Sequence, residues 1–286
     1  MPSYDIYHLP ALNWMIALYF FFGGLAGGGF LLSFWAGYGK ENSGHLARAS
    51  AQITPIALII GLLLLVFHLG HPFRFWLTLT TFRPSSVISW GTWVLTLFMI
   101  VSTVYAFLWR INKGGSAKVL GWLGVPLALF TSIYTGLLLM QLSGSPLWDS
   151  ALLPWIFLVG GLVSAAAVSV LVLTLTGHEP AEPFFGLKRY ICALVILELV
   201  MVGSELVALY TGSAESARVA NMLLIGRFSV WFVGLQIIVG SVLPLGLLIL
   251  AGAFRSRILP VLVSVLLLIG VLTVRFVVVF AGRISL

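Results

Sequence analysis

Residues 151–176 read ALLPWIFLVGGLVSAAAVSVLVLTLT, a stretch without a charged side chain. A run of about 20 apolar residues is long enough to cross the hydrocarbon core of a bilayer as a helix. Backbone amides in lipid must bond within their own segment, so a helix is the only open-ended structure that fits such a run. This stretch therefore predicts a membrane-spanning helix.

Seven further runs of the same kind occur along the chain. The complete set of predicted spans is Trp14–Tyr38, Ala51–Gly70, Val87–Trp109, Val119–Leu142, Ala151–Thr176, Ile191–Tyr210, Phe228–Phe254 and Ile258–Ala281. A membrane β-barrel would show short segments of alternating hydrophobicity instead. We therefore expect an all-α integral membrane protein, a bundle of eight transmembrane helices that forms one polytopic domain over residues 1–286.

Composition and charge agree with this fold class. Of the 286 residues 60% are hydrophobic and only 8% are charged, too few charges for a water-soluble fold of this length. No cleavable signal peptide is expected, because the first apolar run is too long and lacks a basic leader. The net charge of +7 includes no long basic run, which argues for membrane orientation and against nucleic acid as a partner. The single cysteine, Cys192, excludes a disulfide framework.

Lys and Arg are distributed unevenly between the two sides of the membrane. An even number of spans places both termini on one side, where the loops hold five Lys and Arg residues against nine in the opposite loops. The positive-inside rule therefore predicts that both termini lie on the non-cytoplasmic side. The loops are too short to hold a soluble catalytic domain.

Small and aromatic residues within the spans have structural explanations. The glycine-rich stretch Gly23–Gly29 lies inside an apolar span, where small residues predict close helix packing rather than a nucleotide loop. Trp and Tyr residues near the span ends, Trp148 among them, fit an interfacial belt.

Ionisable residues inside the spans are few, and each marks a candidate site because burying charge in lipid is costly. The polar set comprises His68, Glu198, Glu205, Arg275, Gln141 and Gln236. The span directions place His68, Glu205 and Arg275 near the outer face. Tyr19 and Tyr134 fall at a similar depth, which predicts one polar layer on that side.

Each of these residues also has a structural interpretation. Arg275 could pair with Glu205 or Glu198 and fix the helix register. The two glutamates, seven positions apart, share a helix face and could form a proton pathway, with Glu198 nearer the middle of the membrane; alternatively, one stays protonated and bonds a neighbour. His68 could extend to the headgroups, and the tyrosines could pack.

A haem or metal in this chain is not expected. A transmembrane haem is usually held by histidines on facing helices. Only His68 and His71 lie near the outer layer, and they come from the end of one span. No Cys-x-x-Cys or His-Glu-x-x-His motif occurs. With no haem and no iron–sulfur cluster in this chain, electrons would have to pass through a partner.

Two motifs carry a family resemblance. The segments 68–76 (HLGHPFRFW) and 85–93 (SSVISWGTW) resemble the NrfD/PsrC family, the membrane subunits of polysulfide reductase and of formate-dependent nitrite reductase systems. Further agreement comes from Gly24–Gly28, from 134–139 (YTGLLL) and from Arg275-Phe276 with Ala281-Gly282. These segments occur in the family's order along the whole chain.

The resemblance implies a quinone-binding anchor of a bacterial respiratory oxidoreductase in the inner membrane. Such an anchor has no cofactor of its own and binds menaquinone or a related quinone near the outer face. A periplasmic four-cluster iron–sulfur subunit docks there and connects the quinone pool to a molybdopterin catalytic subunit or another redox partner. The chain alone is not expected to convert the terminal substrate.

The resemblance also implies residue roles. Tyr134 occupies the place of the family's quinone-contacting tyrosine, and Arg74 lies in the motif expected to bind the quinone. Tyr19 aligns where polysulfide reductase has a contacting histidine, and Ile16 where it has an asparagine. His68 stands where many relatives have aspartate.

From the residues together, we expect Tyr19, His68, Tyr134 and Arg74 to bind the quinone. His68, Glu205 and Arg275 would act in its chemistry, and Glu198 with Glu205 would conduct protons. A histidine suits proton acceptance because its charge changes near neutral pH. Two other functional classes stay open: a proton-coupled transporter, and a structural anchor without quinone.

Overall fold

The protein is described by a computed structural model covering residues 12–38, 44–68, 80, 86–142, 144–176, 181–250 and 258–284, with the side chains of 181–186 left aside. The elements in chain order are α1 (Trp14–Tyr38), α2 (Gly44–His68), α3 (Val87–Arg110), α4 (Gly114–Met140), α5 (Leu153–Leu175), α6 (Ala181–Thr211), α7 (Ala214–Leu224), a π-helix (Val230–Val242), α8 (Leu243–Leu250) and α9 (Ile258–Ile284).

Eight helices in the described part of the chain are long and apolar enough to span a membrane. The predicted all-α class and the eight spans are therefore confirmed. Successive spans alternate in direction, and we call the end of the bundle that holds Trp14 and His68 the outer end. The location of both termini outside the cytoplasm stays a prediction from the Lys and Arg distribution.

Several helices begin earlier than the apolar runs predicted. α2 begins at Gly44 rather than at residue 51, and α6 begins at Ala181 rather than at residue 191. In the first turns of α2, Leu46 and Ala47 are buried while Arg48 is exposed. The apolar run marks the hydrocarbon core, whereas the backbone hydrogen bonds of the helix continue beyond it.

α1 lies at the centre of the bundle and packs on α2, α4, α5 and α9. Its glycines make this possible: a β-carbon at Gly28 would lie 2.2 Å from the carbonyl oxygen of Gly161 on α5. A β-carbon at Gly27 would lie 2.6 Å from the carbonyl oxygen of Ala128 on α4. The predicted packing role of the glycine-rich stretch is confirmed, because small residues let helix backbones approach closely in lipid.

The seventh span differs from the plain helix that the sequence predicts for residues 228–254. Its outer half, Val230–Val242, is a π-helix, followed by the α-helix Leu243–Leu250. Gly240 in the π-helix meets Gly270 in α9 so closely that a β-carbon would lie 2.2 Å from the Gly270 Cα. π-Helical segments are rare and frequently occur at functional sites.

The connections at the outer end are packed onto the bundle. α7 is amphipathic, begins at an N-cap in which Ser213 Oγ accepts a hydrogen bond from Ser216 N at 3.2 Å, and buries Val219 and Leu223. Trp148, expected in an interfacial belt, is instead only 1% exposed and donates from its indole nitrogen to the Val278 carbonyl at 2.9 Å. The Trp148 interpretation was therefore wrong.

Candidate functional site

The predicted site residues lie on different sides of the central helix α1. We call Tyr19, Tyr134 and His68 the tyrosine cluster, which lies among α1, α2 and α4. Arg275 and Glu198, which meet at α5, form the arginine cluster. The sequence predicted one polar layer of His68, Glu205, Arg275, Tyr19 and Tyr134. In the structure these residues divide: Arg275 lies with Glu198, which was expected nearer the middle of the membrane, and Glu205 bonds Ser150 outside both clusters. Arg74 lies outside the described residues.

Tyr19 carries a buried hydroxyl. The side chain is 1% exposed, and its Oη has no hydrogen-bond partner among the residues that the structure describes. The ring faces α2, where a β-carbon at Gly61 would lie 3.6 Å from Tyr19 Cδ2. A buried hydroxyl without a partner costs free energy, so this group is available for an acceptor that enters from outside the chain.

Tyr134 is held against the backbone of α3. Its side chain is buried, and its ring stacks on Phe130 with the centroids 5.8 Å apart. A β-carbon at Gly91 would lie 1.9 Å from Tyr134 Cζ. Gly91 belongs to the 85–93 motif, so the structure gives that motif glycine a physical role: only a residue without a side chain leaves room for this ring.

Tyr19 and Tyr134 lie on neighbouring turns of adjacent helices. Gly23, one helical turn after Tyr19, faces α4, where a β-carbon would lie 3.5 Å from Thr135 Cγ2. Thr135 directly follows Tyr134 in the chain. The packing thus brings together the two tyrosines that the sequence proposed for one site.

His68 is the last residue of α2 and is partly buried. It follows Gly61 by seven residues, which places it on the same helix face and about 10 Å nearer the outer end. Because Gly61 contacts the Tyr19 ring, His68 lies on the side of α2 that faces the tyrosine cluster, at the mouth of the bundle.

Arg275 is buried in the second half of the bundle and is only 1% exposed. Its Nη2 donates to the Phe157 carbonyl at 2.7 Å, and its Cζ lies 3.7 Å from the centroid of the Phe157 ring. Nε and Nη1 have no hydrogen-bond partner within the described part of the chain. A carbonyl and an aromatic face thus stabilise the guanidinium, while two of its nitrogens are left without an acceptor.

Glu198 faces Arg275 across a glycine of α5. A β-carbon at Gly160 would lie 3.2 Å from Arg275 Nη2 and 3.5 Å from Glu198 Oε1. The two charged atoms are therefore no further apart than the sum of those distances. Of the two partners considered for Arg275, the geometry favours Glu198.

Glu205 is engaged elsewhere. Its Oε2 accepts a hydrogen bond from Ser150 Oγ, in the connection between α4 and α5. Seven residues separate it from Glu198, and both lie on the buried face of α6, about 10 Å apart along the helix axis. The predicted shared face of the two glutamates is confirmed.

Aromatic rings connect the two clusters. The Phe157 ring under Arg275 lies 5.8 Å from the Phe20 ring, and Phe20 lies 5.6 Å from Tyr19. Sequence reasoning missed Phe157 and Phe20, because nothing distinguishes them from other apolar residues in the spans. It also missed Ser150, whose only signal was a hydroxyl in a short outer connection.

Fold and site together define a multi-pass membrane protein with two polar clusters in an eight-helix bundle. A family model described as "Polysulphide reductase, NrfD" matches residues 8–286. The chain belongs to this family, which confirms the resemblance predicted from its motifs.

Individual relatives match over nearly the whole chain. Protein NrfD of Escherichia coli is 28% identical over all of this chain and 99% of its own length. A polypeptide of the polysulfide reductase of Wolinella succinogenes is 28% identical over 98% of this chain and 97% of its own length. One subunit of the selenate reductase of Mesobacillus selenatarsenatis is 25% identical over 94% of this chain and 73% of its own length.

Proposed function

We propose that this chain is the quinone-binding membrane subunit of a bacterial respiratory oxidoreductase. It would exchange electrons between the menaquinone pool and an iron–sulfur subunit at the outer end, which in turn serves a molybdopterin-type reductase. Family membership supports this proposal. So do two relatives, one named as part of a polysulfide reductase and the other as part of a selenate reductase.

The observation that carries the proposal is the Tyr19 hydroxyl beside Tyr134, which has no hydrogen-bond partner among the residues that the structure describes. A quinone presents carbonyl oxygens that need donors, and a buried hydroxyl without an acceptor fits that need. Phe and Leu side chains of the surrounding helices would hold a ring and an isoprenoid tail, as in a mostly apolar pocket with few polar groups. The residues present therefore fit the group.

Roles for the chain's own residues follow from their positions. When bound, a quinol supplies two electrons and two protons. Tyr19 and Tyr134 orient the headgroup by hydrogen bonding, and Arg74 would add a cationic contact from the motif after α2. The imidazole of His68, at the mouth of the bundle, is suited to accept a proton and pass it outward.

Proton movement coupled to this reaction is a second part of the proposal. The Arg275–Glu198 pair lies deeper than His68, and Glu205 continues the same helix face outward. Buried ionisable groups of this kind are typical of proton relays in membranes. The π-helix in the seventh span also suits the alternative of a proton-coupled transporter, for which irregular helices are typical.

The direct test is chemical analysis of the complex purified from the native membrane. We expect bound menaquinone or a related quinone, together with an iron–sulfur subunit and a catalytic subunit. Replacing Tyr134 or His68 by leucine should abolish quinol-linked electron transfer while the complex still assembles. Tyr210→Phe, at the outer end of α6 with its hydroxyl bonded to Asn221 at 2.5 Å, is the matched control and should retain activity.

The alternatives give different results. A complex that contains no quinone and keeps its activity in the Tyr134 and His68 variants would make this chain a structural anchor. Proton uptake by liposomes that contain this chain alone, without any redox partner, would make it a transporter. A redox reaction that leaves the membrane potential unchanged would remove the proton-coupling part and keep the quinone site.

A further inference from the structure

An aromatic patch lies at the end of the bundle opposite His68, which we call the inner end, where the last turns of α1 meet α4. Tyr38 of α1 and Trp122 of α4 are 46% and 65% exposed, and their ring centroids lie 6.0 Å apart. Phe34 packs on both rings, with its centroid 4.8 Å from that of Tyr38 and 5.2 Å from that of Trp122. α1 is buried along most of its length, but here it reaches the surface of the bundle.

Lys118 of α4 is held against this patch. Its Nζ lies 5.3 Å from the centroid of the Tyr38 ring, and the Tyr38 hydroxyl donates to the Lys118 carbonyl at 3.4 Å. The face of an aromatic ring attracts an ammonium group, and the Lys118 side chain is partly buried. The ring contact therefore restricts where the ammonium group can lie, while its three hydrogens are donors for a further partner.

Cations dominate the inner end of the described chain. The carboxylates that the structure describes lie in the middle of the bundle or at its outer end, and they belong to Asp149, Glu198, Glu205 and Glu215. The described cations at the inner end are Arg48, Arg110, Lys113, Lys118, Lys188 and Arg189. Carboxylates of the described chain therefore do not balance this charge, which complements anionic groups of the surrounding membrane.

The exposed face of α4 continues from this cation into the membrane. Trp122 follows Lys118 by four residues and Leu129 follows Trp122 by seven, so the three side chains lie along one side of the helix. Leu123 and Leu129 are exposed beside and beyond the ring of Trp122. From the inner end inward, the surface presents an ammonium group, then aromatic rings, then aliphatic side chains. A phospholipid has the matching order of phosphate, glycerol esters and acyl chains.

We propose that this surface binds one anionic phospholipid of the membrane. Its phosphate would lie at Lys118 Nζ, its glycerol esters against Tyr38 and Trp122, and an acyl chain along the exposed face of α4. Because the Tyr38 ring holds the ammonium group before the lipid arrives, less entropy is lost on binding. A lysine that only extends to the headgroups would be free to move and would not retain one lipid. The site lies at the opposite end from the tyrosine cluster and does not depend on quinone binding.

Native mass spectrometry of the full chain tests the proposal. The chain is reconstituted in vesicles of equal parts phosphatidylglycerol and phosphatidylethanolamine with identical acyl chains, then extracted in mild detergent and weighed with the lipids that it retains. Retained phosphatidylglycerol should exceed phosphatidylethanolamine about fivefold, the effect of one cation at a membrane surface. Lys118→Gln should bring this ratio close to one. Tyr38→Leu keeps the cation but frees it, and should lower the ratio at least about twofold.

Two matched controls come from the same end of the bundle. Lys113→Gln removes a cation from the exposed N-cap of α4, and Tyr190→Leu removes a ring on α6 that is 52% exposed. Both should leave the ratio unchanged.

A ratio of one in the unaltered chain would overturn the proposal, and that measurement needs no variant to fold. Equal ratios in Lys118→Gln and Lys113→Gln, or in Tyr38→Leu and Tyr190→Leu, would overturn it as well, because the positive charge would then act diffusely and not at one built site. None of these results bears on the quinone site.

Discussion

The tyrosine cluster presents neutral hydroxyls from α1 and α4, whereas the arginine cluster holds a cation and a carboxyl group on α9 and α6. Tyr19 is left without a partner in the described part of the chain, and Arg275 rests on a carbonyl and an aromatic ring. A neutral hydroxyl can be left unpaired in an apolar bundle at modest cost, but a charge needs stabilising contacts. This difference supports the proposals that the tyrosine cluster binds the carbonyl oxygens of a neutral quinone ring and that the arginine cluster takes part in proton movement.

α1 is the element that both clusters share. Tyr19 and Gly23 face α2 and α4, while Gly24 faces α5 and Arg275, since a β-carbon there would lie 3.5 Å from Arg275 Nη2. One helix with glycines on its crowded faces thus lets the clusters come close together without mixing. Separating α1 from α5 should damage the arginine cluster and spare the tyrosine cluster. Separating α1 from α2 and α4 should have the opposite effect.

The largest effect is expected where α1 crosses α5. Gly28→Val would force a side chain into the backbone of Gly161, 2.2 Å from the new β-carbon, and only separation of the helices relieves that overlap. We expect a loss of about 4 kcal/mol in the free energy of unfolding, measured by SDS titration in mixed micelles. Gly203→Val, which enters open space on α6, should change it by less than about 0.5 kcal/mol. If the Gly28→Val and Gly203→Val variants had equal free energies of unfolding, the stability of the bundle would not depend on the crossing of α1 and α5.

The second effect concerns the charged pair. Arg275→Met leaves Glu198 facing no cation and should cost about 3 kcal/mol, whereas adding Glu198→Met should restore most of the loss. A double-mutant cycle would then give a coupling of at least about 2 kcal/mol, because the restored part of the Arg275→Met loss adds to the cost of Glu198→Met alone. Arg218→Met, at an exposed position on α7, is the control and should be neutral. Strictly additive losses would show that the two groups do not interact and that the arginine cluster is not a functional unit.

The sequence predicted the eight spans and the residues of both clusters, because apolar runs and buried charges are visible in the chain itself. It did not predict which charges meet. Depth placed Arg275 in the outer layer with Glu205 and put Glu198 nearer the middle of the membrane, yet Arg275 lies near Glu198 across Gly160, and Glu205 bonds Ser150 instead. Nor did it predict the π-helix, since the hydrophobic pattern of residues 230–242 is that of an ordinary span.

A smaller effect should follow at the wall of the tyrosine cluster. Gly91→Ala places a methyl group where the Tyr134 ring now lies, 1.9 Å from its Cζ, so the ring must move. We expect a cost of about 2 kcal/mol and a higher KM for quinol in the assembled complex. Gly246→Ala, which enters open space on α8, should alter neither. If the Gly91→Ala protein kept the stability and the KM of the unaltered chain, the glycine of the 85–93 motif would have no role in positioning Tyr134.

The smallest change in stability, and the sharpest comparison, comes from two tyrosine hydroxyls in the same half of the bundle. Tyr105 Oη lies 3.2 Å from Ser33 Oγ, whereas Tyr19 Oη has no partner in the described chain. Tyr105→Phe should therefore cost about 1 kcal/mol and leave quinone affinity unchanged. Tyr19→Phe removes an unsatisfied group, so stability should stay level or rise by up to about 1 kcal/mol, while quinone affinity falls about tenfold. Affinity from quinone titration and stability from SDS titration separate the two cases. If Tyr19→Phe loses stability and keeps its affinity, the Tyr19 hydroxyl serves packing alone, and the quinone site must lie elsewhere in the bundle.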